Sequence, residues 1–315
     1  MGYQIPPAFI DNGMRKIQHR GQDSFGMISV MPQSGLVMEI KEFGLLPDTD
    51  KSQFIVHHND APNLDFRYGS GVSIYRTPHG SETLLPLQSS PHQANLVLVL
   101  GHTRYSTVAA TIDKEAVQPI ELSADSNRPV YIAFNGNLPN VDANMRRVMG
   151  ITELEGSSDT FLFRAIWQKL AAGELTTCLS DDFARYCIQQ IPGAYSCVVL
   201  VGNKLIGFRD RYGYKPLWYY RDSVLGLQGF VSETCQLTPG TSCQIREVPA
   251  GGIVVLADGA EPIVSPVVTI SQSELSRCSM EAIYFMQDSS LIRYDDIGDD
   301  GCQVSVRDIK YRLGF

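Results

Sequence analysis

"SSDTFLFRAIWQKLAAGELTTCLSDDFARYCIQQIPG", residues 157–193, decides the architecture of this chain. Ser157, Ser158 and Asp159 stand ahead of a run with apolar residues at helical spacing, the usual start of a capped helix. "SDDFARYCIQQIPG" reads as a second helix, stopped by Pro192 and Gly193. On both sides of this pair the period changes. Upstream, "SFGMISV" (24–30), "GVSIYRT" (71–77), "ANLVLVLGHTRYS" (94–106) and "PVYIAFNG" (129–136) are short strand-like runs punctuated by Gly, Pro and Asn. Downstream, "AYSCVVLVGNKLIGFRD" (194–210), "PLWYYR" (216–221), "QGFVSE" (228–233) and "GGIVVLAD" (251–258) resume that pattern. Two consecutive helices between two groups of strands predict α+β layers, because a doubly wound sheet would alternate strands and helices singly. "DNGMRKIQHRG" (11–21) predicts a helix before the first strand, and the tail from Cys278 predicts a strand-like centre and a short final helix.

The bulk properties bound the function classes. With 315 residues, 43% of them hydrophobic and 19% charged, the chain can bury a core as one large domain or two ordinary ones. The formal net charge of −8 is spread along the sequence and no basic tract stands out, so nucleic acid is not an expected partner. No apolar stretch is long enough to cross a bilayer, and "MGYQIPPAFIDNG" has no basic segment leading into an apolar one. The expectation is a cytoplasmic protein without a membrane partner. Seven cysteines without a CxxC pair read as buried reduced thiols, and the histidines show no metal-ligand spacing, so no metal site is expected.

Three stretches at the ends of predicted elements could carry chemistry. In "GHTRYST" (101–107), Arg104 emerges from an apolar strand, where it can grip a carboxylate through two parallel charge-assisted hydrogen bonds or pair with a neighbouring Asp. In "FNGN" (134–137), Asn135 and the Gly136 amide can form a two-donor anion hole or simply a tight hairpin turn. Asp159 can hold an ammonium group or serve as a helix N-cap.

Their order and company are more specific. "IQHRGQDSFG", "GHTRYST", "FNGNLPN", "SSDTFLF", "GFRDRYGYKPL", "VSETCQL", "VPAGGIVVL" and "CSMEAIYF" together resemble the glutaminase domain of glutamine phosphoribosylpyrophosphate amidotransferases, from about residue 9 to the carboxyl end. The resemblance implies a class II glutamine amidotransferase of the Ntn-hydrolase fold, a four-layer αββα sandwich of two antiparallel sheets. It implies Arg104 on the glutamine α-carboxylate, Asp159 on the α-ammonium, and Asn135 with Gly136 on the oxyanion of the tetrahedral intermediate. Residues 105–117, with Thr107, take the place of a loop that closes over substrate, and Arg20 and Gly21 line the nucleophile end. "GFRDRYGYKPL" falls near the junction with a synthase domain, with Tyr212 and Tyr214 in place of small or aliphatic residues and Lys215 in place of Arg.

The family's nucleophile is an amino-terminal Cys, whereas this sequence begins Met-Gly-Tyr-Gln and its first cysteine is Cys178. A strand-buried internal thiol is poorly ionised and lacks the free α-amine, so glutaminase activity is not expected of the sequence as written. The expected organisation is a class II amidotransferase-like domain over 1–270 and an extension over 271–315 resembling the start of the family's interdomain segment. Cys278 matches a position that ligates an iron–sulfur cluster in some members, but with the other ligands outside the sequence no cofactor is expected. Three functions fit: an amino-acid-binding, regulatory or assembly subunit without the nucleophile, an active glutaminase subunit supplying ammonia to a separate synthase chain, or a repurposed acyl- or amide-transfer enzyme. The expected partners are glutamine or a related amino acid, and a separate synthase or transferase chain or a second copy.

Overall fold

The computed structural model describes residues 13–31, 36–43, 53–58, 61–69, 72–76, 82–86, 98–104, 116–123, 130–139, 160–172, 179–224, 226–237, 243–271, 274–276, 278, 280–294 and 302–312. Two compact units divide the chain, Met1–Ala133 with Leu200–Lys204, and Phe134–Val199 with Leu205–Phe315.

In the first unit the helix expected before the first strand is present as a helical turn at 13–16 running into a 3-10 turn, Gln18–Arg20. Seven strands follow: β1 (Ser24–Met31), β2 (Leu36–Phe43), β3 (Gln53–His58), β4 (Ala61–Gly69), β5 (Val72–Arg76), β6 (Glu82–Pro86) and β7 (Leu98–Arg104). They form one antiparallel sheet in the order β6-β5-β4-β3-β2-β1-β7. The chain-distant β7 closes on β1 with Ser24 opposite Arg104 and Val30 opposite Leu98, a register in which Phe25, Ile28, Val30, Leu98 and Leu100 are all buried.

The remaining elements are β8 (Ile120–Glu121), β9 (Val130–Asn137), α1 (Thr160–Ala171), α2 (Leu179–Gln190), β10 (Ala194–Val201), β11 (Lys204–Arg209), β12 (Trp218–Asp222), β13 (Leu227–Val231), β14 (Cys243–Glu247), β15 (Gly252–Ala257), β16 (Ile263–Pro266), β17 (Leu291–Tyr294), β18 (Cys302–Ser305) and α3 (Val306–Arg312). A six-stranded sheet has the order β16-β15-β11-β10-β9-β8, a smaller one the order β13-β12-β14, and β17 and β18 make a hairpin. The two helices expected within 157–193 are therefore present, and the strand groups flank them as the periodicity required.

In the second unit these helices seal an aromatic core. Phe161, Leu162, Phe163, Ile166, Trp167 and Leu170 of α1 are all buried, the stripe that the apolar spacing drew. Phe163 meets Phe134 of β9 at 5.2 Å between ring centroids, and Trp167 meets Phe183 of α2 at 5.3 Å. Tyr195 of β10 and Phe208 of β11 continue the cluster edge to face. Asp181 and Asp182 sit in the first turn of α2, where the helix dipole favours negative charge. At its other end the Tyr195 hydroxyl donates to the carbonyls of Cys187 (2.8 Å) and Ile191 (3.3 Å), satisfying groups that a helix terminus leaves open.

The tail is bound to the same unit by polar contacts. Glu233 is fully buried, and its carboxylate accepts hydrogen bonds from the Gln287 amide and the Ser290 hydroxyl, both at 2.8 Å. Beside it the Thr234 hydroxyl accepts the Leu291 amide at 2.7 Å. Lys215 pairs with Glu281 at 2.6 Å, while the amides of Ser276 and Cys278 donate to the carbonyls of Tyr212 and Tyr214. Glu281–Phe285 is one wide helical turn, the strand-like centre of the tail lies in the β17–β18 hairpin, and α3 is the short final helix. Among the described residues no helix is long and apolar enough to cross a membrane.

Candidate functional site

Arg20, Gly21 and Arg104 come together in the first unit. The turn Gln18–Arg20 ends as the Gly21 amide donates to the Gln18 carbonyl at 3.1 Å, and the Gln18 carboxamide returns a bond to the Gly21 carbonyl at 2.6 Å. Gly21 then lies directly on the backbone of β7. A Cβ at this position would stand 2.4 Å from the Thr103 carbonyl carbon and 2.5 Å from the Arg104 nitrogen, so only glycine fits. The Asp23 amide donates to the Arg104 carbonyl at 3.0 Å, and the Thr103 hydroxyl donates to Ile17 at 3.4 Å. Arg104 is thus fixed through its backbone at the end of β7 while its side chain remains half-buried, and its guanidinium forms no ion pair with the described residues.

Asn135 and Gly136 lie at the end of β9 in the second unit, both half-buried, next to the deeply buried Phe134. Gly136 is pressed on the start of β10: a Cβ would meet the Ala194 carbonyl oxygen at 2.3 Å and the Tyr195 Cβ at 2.7 Å. The strand end that carries the two residues therefore has no freedom to move further into the sheet. A backbone N–H and a carboxamide at such a strand end would be preset donors, which need no reorganisation to meet an anion. Asp159 and Thr107 lie outside the described residues, so their expected positions stand as expectations.

Two residues of the quoted motifs organise this neighbourhood although their types alone did not single them out. Asp210, from "GFRDRYGYKPL", is 1% exposed, and its carboxylate accepts four backbone N–H groups, those of Tyr195, Tyr212, Gly213 and Tyr214 at 2.9–3.1 Å. Burial pushes its carboxyl above the ordinary aspartate range, and the amides oppose that shift. Glu233, from "VSETCQL", does the same for the tail. The sequence signal for both was an acidic residue within two positions of the end of a strand, followed by Gly213 or Thr234, which is also how an ordinary surface turn is written.

The thiols are a separate matter. Among the described residues Cys187, Cys197, Cys235, Cys243 and Cys278 are in no disulfide, the first two buried and the other three partly exposed rather than buried as expected. Burial pushes the Cys187 thiol well up, and burial together with the charge of Asp222 raises that of Cys243, the wrong direction for a nucleophile.

Comparison with known proteins bears on the family and the fold. Residues 102–239, the stretch from the end of β7 through Glu233, match the glutamine amidotransferase domain family. The solved glutamine phosphoribosylpyrophosphate amidotransferase from B. subtilis, complexed with ADP and GMP, superposes with a TM-score of 0.63 at 23% identity over 92% of this chain and 52% of that one. The protein is an α+β chain of the Ntn-hydrolase fold carrying a class II glutamine amidotransferase domain. Within that class it is homologous to the amidophosphoribosyltransferases. Amidophosphoribosyltransferase of Pyrococcus horikoshii is 28% identical over 96% of this chain and 54% of its own length, and amidophosphoribosyltransferase 3 of Arabidopsis thaliana is 34% identical over 62% of this chain and 35% of its own. The chain spans about half the length, or less, of these relatives.

Proposed function

We propose that this chain is a class II glutamine amidotransferase-like protein that binds glutamine or a related amino acid, as a regulatory or assembly subunit for a separate synthase or transferase chain. Arg104 takes the α-carboxylate, Asp159 the α-ammonium, and Asn135 with Gly136 the side-chain carbonyl oxygen, with Arg20, Gly21 and Thr107 as further substrate-binding residues. Residues 1–270 form the amidotransferase-like domain, and 271–315 are an extension resembling the start of the family's interdomain segment.

The observation that carries the reading is the Asn135–Gly136 strand end, half-exposed and backed by β10 so closely that no side chain fits at position 136. Glutamine hydrolysis needs a nucleophile as well, and burial raises the Cys187 and Cys243 thiols, which disfavours the nucleophilic thiolate at those two positions. The second reading is an active glutaminase subunit supplying ammonia to a separate synthase chain, favoured by the intact backbone packing around Gly21 and Gly136.

Both readings are tested on the 315-residue polypeptide. L-Glutamine is expected to bind in titration calorimetry without release of ammonia above background. Ammonia release that disappears on replacing an internal Cys would overturn the first reading, and release restored by adding an amino-terminal Cys would support the second. If no α-amino acid binds at millimolar concentration to folded protein, both fail.

A further inference from the structure

We propose that Asp210 is a positioning residue for the Asn135–Gly136 donors, acting on them through Tyr195. The inference rests on the reading of that strand end as an anion hole.

The chain of contacts is short. Gly136 cannot approach β10 any further, since its Cα already faces the Ala194 carbonyl and the Tyr195 Cα and Cβ. The place of the Gly136 N–H is therefore set by the place of Tyr195. Tyr195 in turn is gripped at both backbone groups by one residue, its N–H donating to Asp210 Oδ2 at 3.1 Å and its carbonyl accepting the Asp210 N–H at 2.9 Å. The Asp210 carbonyl is itself held by the Gly251 amide at 2.9 Å. A carboxylate is required here. Oδ2 serves Tyr195 and Tyr214 while Oδ1 serves Tyr212 and Gly213, and Asn would turn an NH2 toward one of these donor pairs.

A purely local role does not account for this expense. An aspartate that only closes the 210–214 turn does so as well at the surface, with bonds to amides two or three residues on. Burying it costs solvation that the four amides offset, and the bond to Tyr195, fifteen positions back, adds nothing to the turn. What it adds is a fixed start to β10 under Gly136.

The consequence is selective: disturbing Asp210 should affect the ligand's side-chain oxygen and spare its α-carboxylate and α-ammonium. L-Glutamate offers the donors a γ-carboxylate, and L-norvaline has the same α groups with no γ oxygen. In titration calorimetry Asp210→Asn should weaken L-glutamate by roughly tenfold or more and leave L-norvaline within about twofold. Asn135→Ala, which removes a donor directly, should do the same. Tyr195→Phe keeps the backbone bonds and should retain the preference for L-glutamate. An Asp210→Asn protein that keeps the wild-type preference, or that loses both ligands equally, overturns the positioning role and leaves the anion hole standing. A wild-type protein with no preference, indifferent to Asn135→Ala, refutes the anion hole and this proposal with it. Should Asp210→Asn lack folded circular dichroism, Asp210→Glu carries the test: a preference lowered by about threefold or more supports the role and an unchanged one refutes it.

Discussion

Arg104 and Gly21 divide one job between them, since the glycine admits the backbone contact that fixes where the arginine leaves β7. A charge-assisted bond to a carboxylate is worth about 1.5–3 kcal/mol, so Arg104→Ala should weaken L-glutamine binding by roughly tenfold to a hundredfold. Calorimetry measures this directly, and an unchanged affinity would remove Arg104 from the proposed substrate-binding residues. Gly21→Ala should instead cost stability, about 1–3 kcal/mol in urea unfolding with an unaltered m value, because the methyl group meets main-chain atoms that cannot rotate aside. The candidate residues were legible in the sequence because each ends a strand in polar company. The reason for Gly21 and Gly136 was not, since it lies in neighbours 82 and 58 positions away, Thr103 and Ala194, that only the sheet register brings near.

At the scale of elements, the two helices and most of the strands around them could be read because apolar residues recur at the helical period in α1 and fill β10, β11 and β15. β14 was missed for an evident reason: "CQIRE" has no fully buried position, so its alternation carries little apolar signal. β16, "IVSP", is an edge strand that leaves Ile263 and Val264 exposed. The attachment of the tail was invisible for another reason, since its ties are polar and long-range. Lys215 and Glu281 are 66 positions apart, with side chains only 17% and 5% exposed. Lys215→Ala should destabilise the protein by about 1.5–3 kcal/mol, because it withdraws a charged partner from a buried carboxylate. Lys215→Ala combined with Glu281→Gln should recover part of that loss in thermal or urea unfolding, and strict additivity would show that the pair is not coupled.

At the scale of the whole molecule, Asp210 leaves a signature in the pH dependence of stability. Its folded-state pKa is raised, chiefly by burial, so the native protein holds this proton more tightly than the unfolded chain does. The contribution of the group is most favourable below the ordinary aspartate value and is lost as pH rises through the folded-state value. The difference in unfolding free energy between wild type and Asp210→Asn should therefore shrink or change sign as pH climbs out of that window, then become flat. A difference independent of pH would mean that the carboxyl titrates alike in both states. Gly136 gives the fold one more consequence, for how its chemistry can be changed. With β10 in the space where a side chain would grow, position 136 offers a designer only its amide, whereas Asn135 is half-exposed and open to substitution. A library aimed at new substrates would do best to hold residue 136 constant and explore residue 135, since diversity at the first would be spent on molecules that do not fold.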